Sequence, residues 1–207
     1  MIIDTNDSCL GKAQLLQSKN VDTVGRYYRM ATHPEWAITK AEAQELSKSN
    51  IKIFIVFEDF GQASKLKLTK DQGKKDGTSA LNQAQAIGQP QGSAIYFAVE
   101  GLPNGYKTAD LPKIREYFSG VKEIIGNKYE LGVYGDGIVC KTMLGENICK
   151  YTWLAAASTS FEGTKDFMKS WKWSVAQMGP LDITTDGLSV DLDVAKNDFG
   201  AFVVPFP

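Results

Sequence analysis

Four carboxylates in this chain stand where a strand-like apolar run gives out. Asp4 follows Ile2-Ile3, Glu58 follows Ile51-Lys-Ile-Phe-Ile-Val-Phe57, and Glu100 follows Ala94-Ile-Tyr-Phe-Ala-Val99; Asp191 lies within Ser189-Val-Asp-Leu-Asp193. Carboxylates gathered from separate strands can divide acid and base work, because burial and like-charged neighbours push their pKa values apart. A glycosidase needs that division. One carboxylic acid must keep its proton near neutral pH, and a second carboxylate must act as nucleophile or base. Glu100 is the expected proton donor. Strand periodicity puts it on one face with Tyr96 and Ala98, so aromatic surroundings would partly enclose it and raise its pKa. Asp4, Glu58 and Asp191 are its expected partners.

Other polar and aromatic residues recur at strand ends. Arg26 and Tyr28 close Val21–Tyr28, Tyr134 closes Leu131-Gly-Val-Tyr134, and Gln177 closes Trp173-Ser-Val-Ala-Gln177; Trp153 sits in Thr152–Ala156. Tyr28, Tyr96, Tyr134, Trp153 and Trp173 could offer flat apolar faces to sugar rings, while Arg26 and Gln177 bind hydroxyls. The expected substrate-binding set is therefore Arg26, Tyr28, Tyr96, Tyr134, Trp153 and Gln177.

The elements that would hold these groups alternate. Eight candidate strands run from Ile2 to Asp193, and helical segments follow the first five. Thr39 and Glu42 form a capping box ahead of one helix. Leu111, Ile114, Phe118, Val121 and Ile125 give another its apolar stripe. A polar, lysine-bearing loop is expected over Gly61–Gly77, leading into a helix around Ser79–Ile87 that Gly88 stops. Strand–helix alternation predicts a parallel sheet, and eight strands are the number that closes a (β/α) barrel. An open doubly wound sheet would announce itself with a Gly-rich phosphate turn after the first strand. Thr5-Asn-Asp-Ser-Cys-Leu-Gly11 has one glycine, and no phosphate-loop motif occurs elsewhere. The expectation is an α/β protein, a TIM-type (β/α) barrel with irregular or missing helices between its last strands, occupying residues 1–207 as one domain. In such barrels the C-terminal strand ends converge on one mouth, where chemistry is done.

Composition excludes several alternatives. The 207 residues carry 23 Lys+Arg against 24 Asp+Glu, a net charge of −1, without the basic excess of a nucleic-acid binder. No apolar run is long enough to span a membrane, and the first residues show no signal peptide. Cys9, Cys140 and Cys149 are too few for a disulfide framework; Cys140 and Cys149 could pair across a short loop, but free thiols are expected. His33 is the only histidine, which disfavours His-ligated zinc and Ser–His or Cys–His nucleophiles. Asp4, Glu100, Asp191 and Asp193 could serve as hard oxygen ligands in a metal-dependent alternative. The leading expectation has no metal and no cofactor.

Taken in order, Ile2-Ile-Asp4, Val24-Gly-Arg-Tyr-Tyr28, Leu46–Phe54, Ile95-Tyr-Phe-Ala-Val-Glu100, Gly132-Val-Tyr-Gly135, Trp153-Leu-Ala155, Trp173–Gln177 and Val190-Asp-Leu-Asp193 form a series that spans nearly the whole chain. In it the sequence resembles the glycoside-hydrolase-like domain family (domain of unknown function 1906), and more distantly the family 25 lysozymes. The resemblance implies a TIM-type barrel whose last strands lack regular helices. It also implies a muramidase-like activity on bacterial cell-wall peptidoglycan, an extracytoplasmic location, and Glu100 as the matching acid. Family 25 lysozymes carry Asp-x-Glu on the fourth strand, whereas this chain has Ala98-Val99-Glu100. Either Asp4, Glu58 or Asp191 takes the second role, or the barrel binds cell-wall carbohydrate without cutting it. A monomer is expected, with no nucleic-acid partner.

Overall fold

The computed structural model describes residues 1–29, 34–59, 67–181, 187–196 and 198–205. His33 and most of the lysine-bearing stretch before Lys67 therefore lie outside the described residues. Eight strands close into one barrel in chain order. They are β1 (Ile2–Asp4), β2 (Thr23–Tyr28), β3 (Lys52–Phe57), β4 (Ala94–Val99), β5 (Glu130–Gly135), β6 (Tyr151–Ala155), β7 (Val175–Leu181) and β8 (Val190–Ala195). Between them stand α1 (Ala13–Ser18), α2 (Lys40–Lys48), α3 (Lys70–Ile87), α4 (Leu111–Ile125), α5 (Gly137–Gly145) and the short α6 (Thr164–Ser170). Among the described residues no helix joins β7 to β8. The barrel, with its late helices shortened or lost, is the architecture expected from the strand count.

The last strand departs from expectation. Strands β1 to β7 run parallel, but β8 is antiparallel to both β7 and β1. Chain length explains the reversal. A parallel return needs a crossover of about a dozen residues or more, and the segment between Leu181 and Val190 is shorter than that. Reversal brings the start of β8, rather than its end, to the mouth. Asp191 is thereby paired in register with Asp4, and Asp193 with Ile2.

The lysine-bearing stretch is also corrected. Residues 70–77 are not loop but the first half of α3, capped by Thr69, whose side chain accepts the Gln72 N–H. Two helix-interior glycines, an unfavourable local signal, have a tertiary use here. A Cβ on Gly73 would lie 2.0 Å from the Tyr117 carbonyl oxygen, and one on Gly120 would lie 2.0 Å from that of Lys70. The α3 and α4 backbones thus touch where a side chain would hold them apart. Lys70 and Lys74 pair with Glu123 of α4, and the Tyr117 hydroxyl donates to buried Asp76 at 2.8 Å.

Packing is in two shells. Alternate strand residues, among them Phe54, Tyr96, Trp153 and Val175, fill the barrel, while Ile55, Phe97, Val133 and Leu154 pack outward against the helices. The segment after β8 closes the N-terminal end of the barrel. Phe202 pairs with Ile53, Gly200 accepts the Ala94 N–H, and the Tyr96 hydroxyl donates to the Phe199 carbonyl at 2.8 Å. The three cysteines are free and buried, so Cys140 and Cys149 do not pair.

Candidate active site

The opposite end of the barrel holds the carboxylates. Strand parity points Asp4 of β1, Tyr27 of β2, Glu58 just past β3, Glu100 just past β4, Tyr134 of β5, Gln177 of β7 and Asp191 of β8 toward the barrel interior or its mouth. Gly25 makes room for Asp4: a Cβ there would stand 2.7 Å from the Asp4 Cβ.

Hydrogen bonds join Tyr27, Asp4, Asp191, Gln177 and Tyr134 in one network. Tyr27 donates its hydroxyl to Asp4 Oδ1 at 2.9 Å. Gln177 Nε2 donates to Asp4 Oδ2 at 2.8 Å and reaches Asp191 Oδ2 at 3.3 Å. The Gln177 carbonyl oxygen accepts from the Tyr134 hydroxyl at 2.8 Å. Glu100 and Glu58 stand beside this network at the ends of the neighbouring strands β4 and β3, and each of them raises the Tyr134 phenol electrostatically. Below this network Asp193, diagonal to Asp4 across the β1–β8 pairing, accepts the Trp153 indole N–H at 2.9 Å.

Enclosure and mutual repulsion hold protons in this network. Burial pushes the Glu58 carboxyl up to about 8; the Glu100 charge adds to the shift and the Arg29 guanidinium opposes it. Burial also raises Glu100, less effectively because Tyr134, Glu58 and Arg29 favour its charged form. Asp4 is raised to about 6 by burial, against the hydrogen bonds from Gln177 and Tyr27. Asp191 is raised by partial burial. Two neighbouring carboxyls do not both ionise readily, and the charge of Glu100 accordingly adds to the raised affinity of Glu58 for its proton.

The substrate-binding set divides. Tyr134 and Gln177 are at the mouth. Trp153 and Tyr96 face the barrel interior but lie below it, both fully buried among Phe54, Tyr134 and Tyr151. Neither offers a face to a sugar. Arg26 and Tyr28 are on the other side of β2 altogether. Arg26 forms a fully buried ion pair with Glu42 of α2 at 2.6 Å and also donates to the Thr5 and Trp36 carbonyls. Tyr28 donates to Gln89 at 2.6 Å. The mouth cation is Arg29, which sequence reasoning missed. Its guanidinium stands 3.4 Å from Glu58 and lies over the Tyr27 and Trp36 rings, at 4.9 Å and 5.1 Å to the ring centroids. Gln83 of α3 grips its backbone N–H and carbonyl. The signal lay in parity, since Arg29 shares a face with Gly25 and Tyr27. Trp173 is buried away from the mouth, its indole N–H bonded to the Met168 carbonyl.

Glu100 also lines a hollow of about 220 Å³ between the segments following β4 and β6, walled by Leu102, Tyr106, Ser158 and Phe161. Asp136 lies at its base, capping α5 through Val139 and anchoring Tyr106 by its backbone N–H. A larger hollow, about 480 Å³, lies outside the barrel between α5 and α6 and is lined by none of the mouth carboxylates. Among the described residues no cluster of three or more His, Cys, Asp or Glu side chains is arranged to hold a metal ion.

Comparison with known proteins identifies the family and the fold. The family described as "Rv2525c-like, glycoside hydrolase-like domain" matches residues 14–184. The chain belongs to this family. The glycoside-hydrolase-like barrel is 31% identical to the Bacillus subtilis protein YbfG over 206 residues, covering 92% of this chain and 28% of YbfG. It therefore spans less than a third of that relative. Among solved structures, the Mycobacterium tuberculosis Tat-secreted protein Rv2525c, crystallised with L-tartrate, has the same fold at a TM-score of 0.81 and 18% identity, over 97% of each chain. The modular autolysin LytC of Streptococcus pneumoniae, solved with a synthetic peptidoglycan ligand, shares the fold at a TM-score of 0.54 and 13% identity, over 93% of this chain and 45% of LytC. No described helix is long and apolar enough to cross a membrane.

Proposed function

We propose that this barrel is a lysozyme-like glycoside hydrolase acting on the glycan of bacterial cell-wall peptidoglycan. The observation that carries the reading is the gathering of Glu58 and Glu100, at the ends of neighbouring strands, around a mouth where Gln177 joins Asp4, Asp191 and Tyr134. Paired glycosidase carboxylates need about 5–5.5 Å between them for retention, or about 6.5–9.5 Å for inversion. Glu58 and Glu100 stand on the same side of the mouth, at the ends of neighbouring strands, and Glu58 is raised by the charge of Glu100. Glu58 and Glu100 therefore act as one acid. Glu100, which lines the open hollow, delivers the proton to the leaving oxygen, and Glu58 replenishes it. Arg29 holds Glu58 in place. The second function falls to Asp4, assisted by Asp191, as the negative charge that stabilises the oxocarbenium-like carbon or orients water. Ala98 can supply no carboxylate of its own, so Asp4 and Asp191 stand in from the other side of the mouth.

Membership of a glycoside-hydrolase-like family and the fold shared with LytC support the substrate class, and the Tat-secreted Rv2525c supports an extracytoplasmic site of action. The mouth groups all come from strands β1 to β8 of one barrel or the residues just past them, so this reading needs no second chain. Replacing Glu100 by Gln should abolish release of soluble fragments from purified peptidoglycan while leaving the thermal transition in place; undiminished release would overturn the assignment. The empty position at Ala98 favours one second reading, a barrel that holds cell-wall carbohydrate without turnover. Sedimentation with insoluble peptidoglycan, and no fragment release by the wild-type protein, would select it.

A further inference from the structure

Two buried side-chain atoms among the described residues have no hydrogen-bond partner: Arg29 Nε and Asp193 Oδ2. The second has a chemical explanation. Asp193 is 3% exposed, and its Oδ1 accepts the Trp153 indole N–H at 2.9 Å. Its side chain is also the diagonal neighbour of Asp4 across the β1–β8 pairing, where Ile2 faces Asp193 and Asp4 faces Asp191. Asp4 already has donors on both oxygens, Tyr27 on Oδ1 and Gln177 on Oδ2. Asp4 is thus solvated as an anion. Asp193 has one donor, one bare oxygen and an acceptor for a neighbour. Enclosing two bare carboxylates side by side would be prohibitive, whereas a carbonyl oxygen that accepts and a hydroxyl that donates fit this geometry without an orphan.

We propose that Asp193 is a neutral carboxylic acid that donates its proton to Asp4, and so positions that carboxylate at the mouth. Asp193 is a positioning residue; it stands below Asp4, in register with Ile2 rather than at the rim. The titratable groups facing it are Asp4 from β1, Asp191 from its own strand and the Tyr96 phenol from β4. The two carboxylates, Asp4 and Asp191, disfavour a further negative charge beside them. Burial and the Asp4 charge accordingly hold its carboxyl well above the usual range. The mouth then contains two pairs of neighbouring carboxyls, Glu58–Glu100 and Asp193–Asp4, with Tyr134 and Gln177 between them. The contribution to turnover rests on the hydrolase reading; the protonation state does not.

Two substitutions separate these points. Asn reproduces a neutral acid, with an amide N–H for Asp4 and a carbonyl for Trp153, so Asp193→Asn should keep peptidoglycan hydrolysis within about twofold of wild type and preserve its pH profile. Asp193→Leu keeps the branched shape, with two bulkier methyl groups, but removes the donor. It should slow hydrolysis about tenfold to a hundredfold and move the Asp4-dependent limb to higher pH, because the carboxylate loses a hydrogen bond. Thermal unfolding provides a readout independent of activity. A folded-state pKa above the unfolded value gives stability that is complete below the unfolded value and lost as pH rises, so the Tm advantage of Asp193→Asn should widen from pH 4 to pH 8. A flat or narrowing gap, or an Asn variant that folds normally but loses more than tenfold activity, would overturn the proposal. Absence of hydrolysis by the wild-type protein would instead overturn the hydrolase reading, leaving the unfolding comparison to decide the state of Asp193.

Discussion

Glu58, just past the end of β3, stands beside Glu100, just past the end of the neighbouring β4, and the charge of Glu100 helps to raise the Glu58 carboxyl. The residues lie far apart in the sequence and meet because β3 and β4 pair in parallel with Phe57 opposite Phe97. Each strand ends in a carboxylate on the barrel-facing side, so neighbouring ends bring the two acids together. Chemistry that neither residue type supplies alone, a proton held near neutral pH beside an open hollow, follows from that adjacency.

The proton on Glu58 should be visible in stability. Its carboxyl sits at about 8 in the folded barrel against an ordinary 4.5. The corresponding stabilisation is complete below about pH 4.5 and is lost as pH rises through about 8. Relative to Glu58→Gln, which needs no proton, the wild-type protein should lose ground steadily across that interval. Urea midpoints of the two proteins at pH 5, 6.5 and 8 check this, and a constant difference would show that Glu58 titrates normally.

Arg26 should behave as a structural residue. Its ion pair with Glu42 is fully buried, and removing one partner strands a buried charge, at a cost of about 3–5 kcal/mol. Arg26→Met should therefore lower the unfolding free energy by that order. Arg26→Met combined with Glu42→Leu should recover much of the loss, because no charge then remains inside. A double variant with normal stability but no glycan binding would return Arg26 to the site.

The α3–α4 contact gives a test of packing remote from the chemistry. Gly73→Ala places a methyl group where the Tyr117 carbonyl oxygen lies, and Gly120→Ala does the same at Lys70. Overpacking of this kind costs about 1–3 kcal/mol, more than the gain in helix propensity of at most about 1 kcal/mol. Both alanine variants should unfold at lower temperature in calorimetry; a higher Tm would mean that the two helices part easily.

The strand count, the alternation with helices, the Thr39 cap and the acids at strand ends were all legible in the sequence, because each depends on local periodicity or on a residue beside its own element. The phase of β2 was not. Both faces of that strand are buried, so apolar residues do not distinguish the barrel interior from the helix side, and Arg26 could be read as facing the mouth in place of Arg29. The α3 start was hidden for a related reason: Gly73 and Gly77 look like helix breakers until a second helix is packed against them.

By itself the sequence determined which residue types reach the ends of which strands, since a strand's period and length are set by its own side chains and turns. Only the tertiary structure decided which of those residues touch. The reversal of β8 places Asp191 opposite Asp4 and Asp193 beneath it, and the closure of the barrel pairs Glu58 with Glu100. Proton affinity in these groups is a property of contact and burial, and both arise only when distant segments exclude water together.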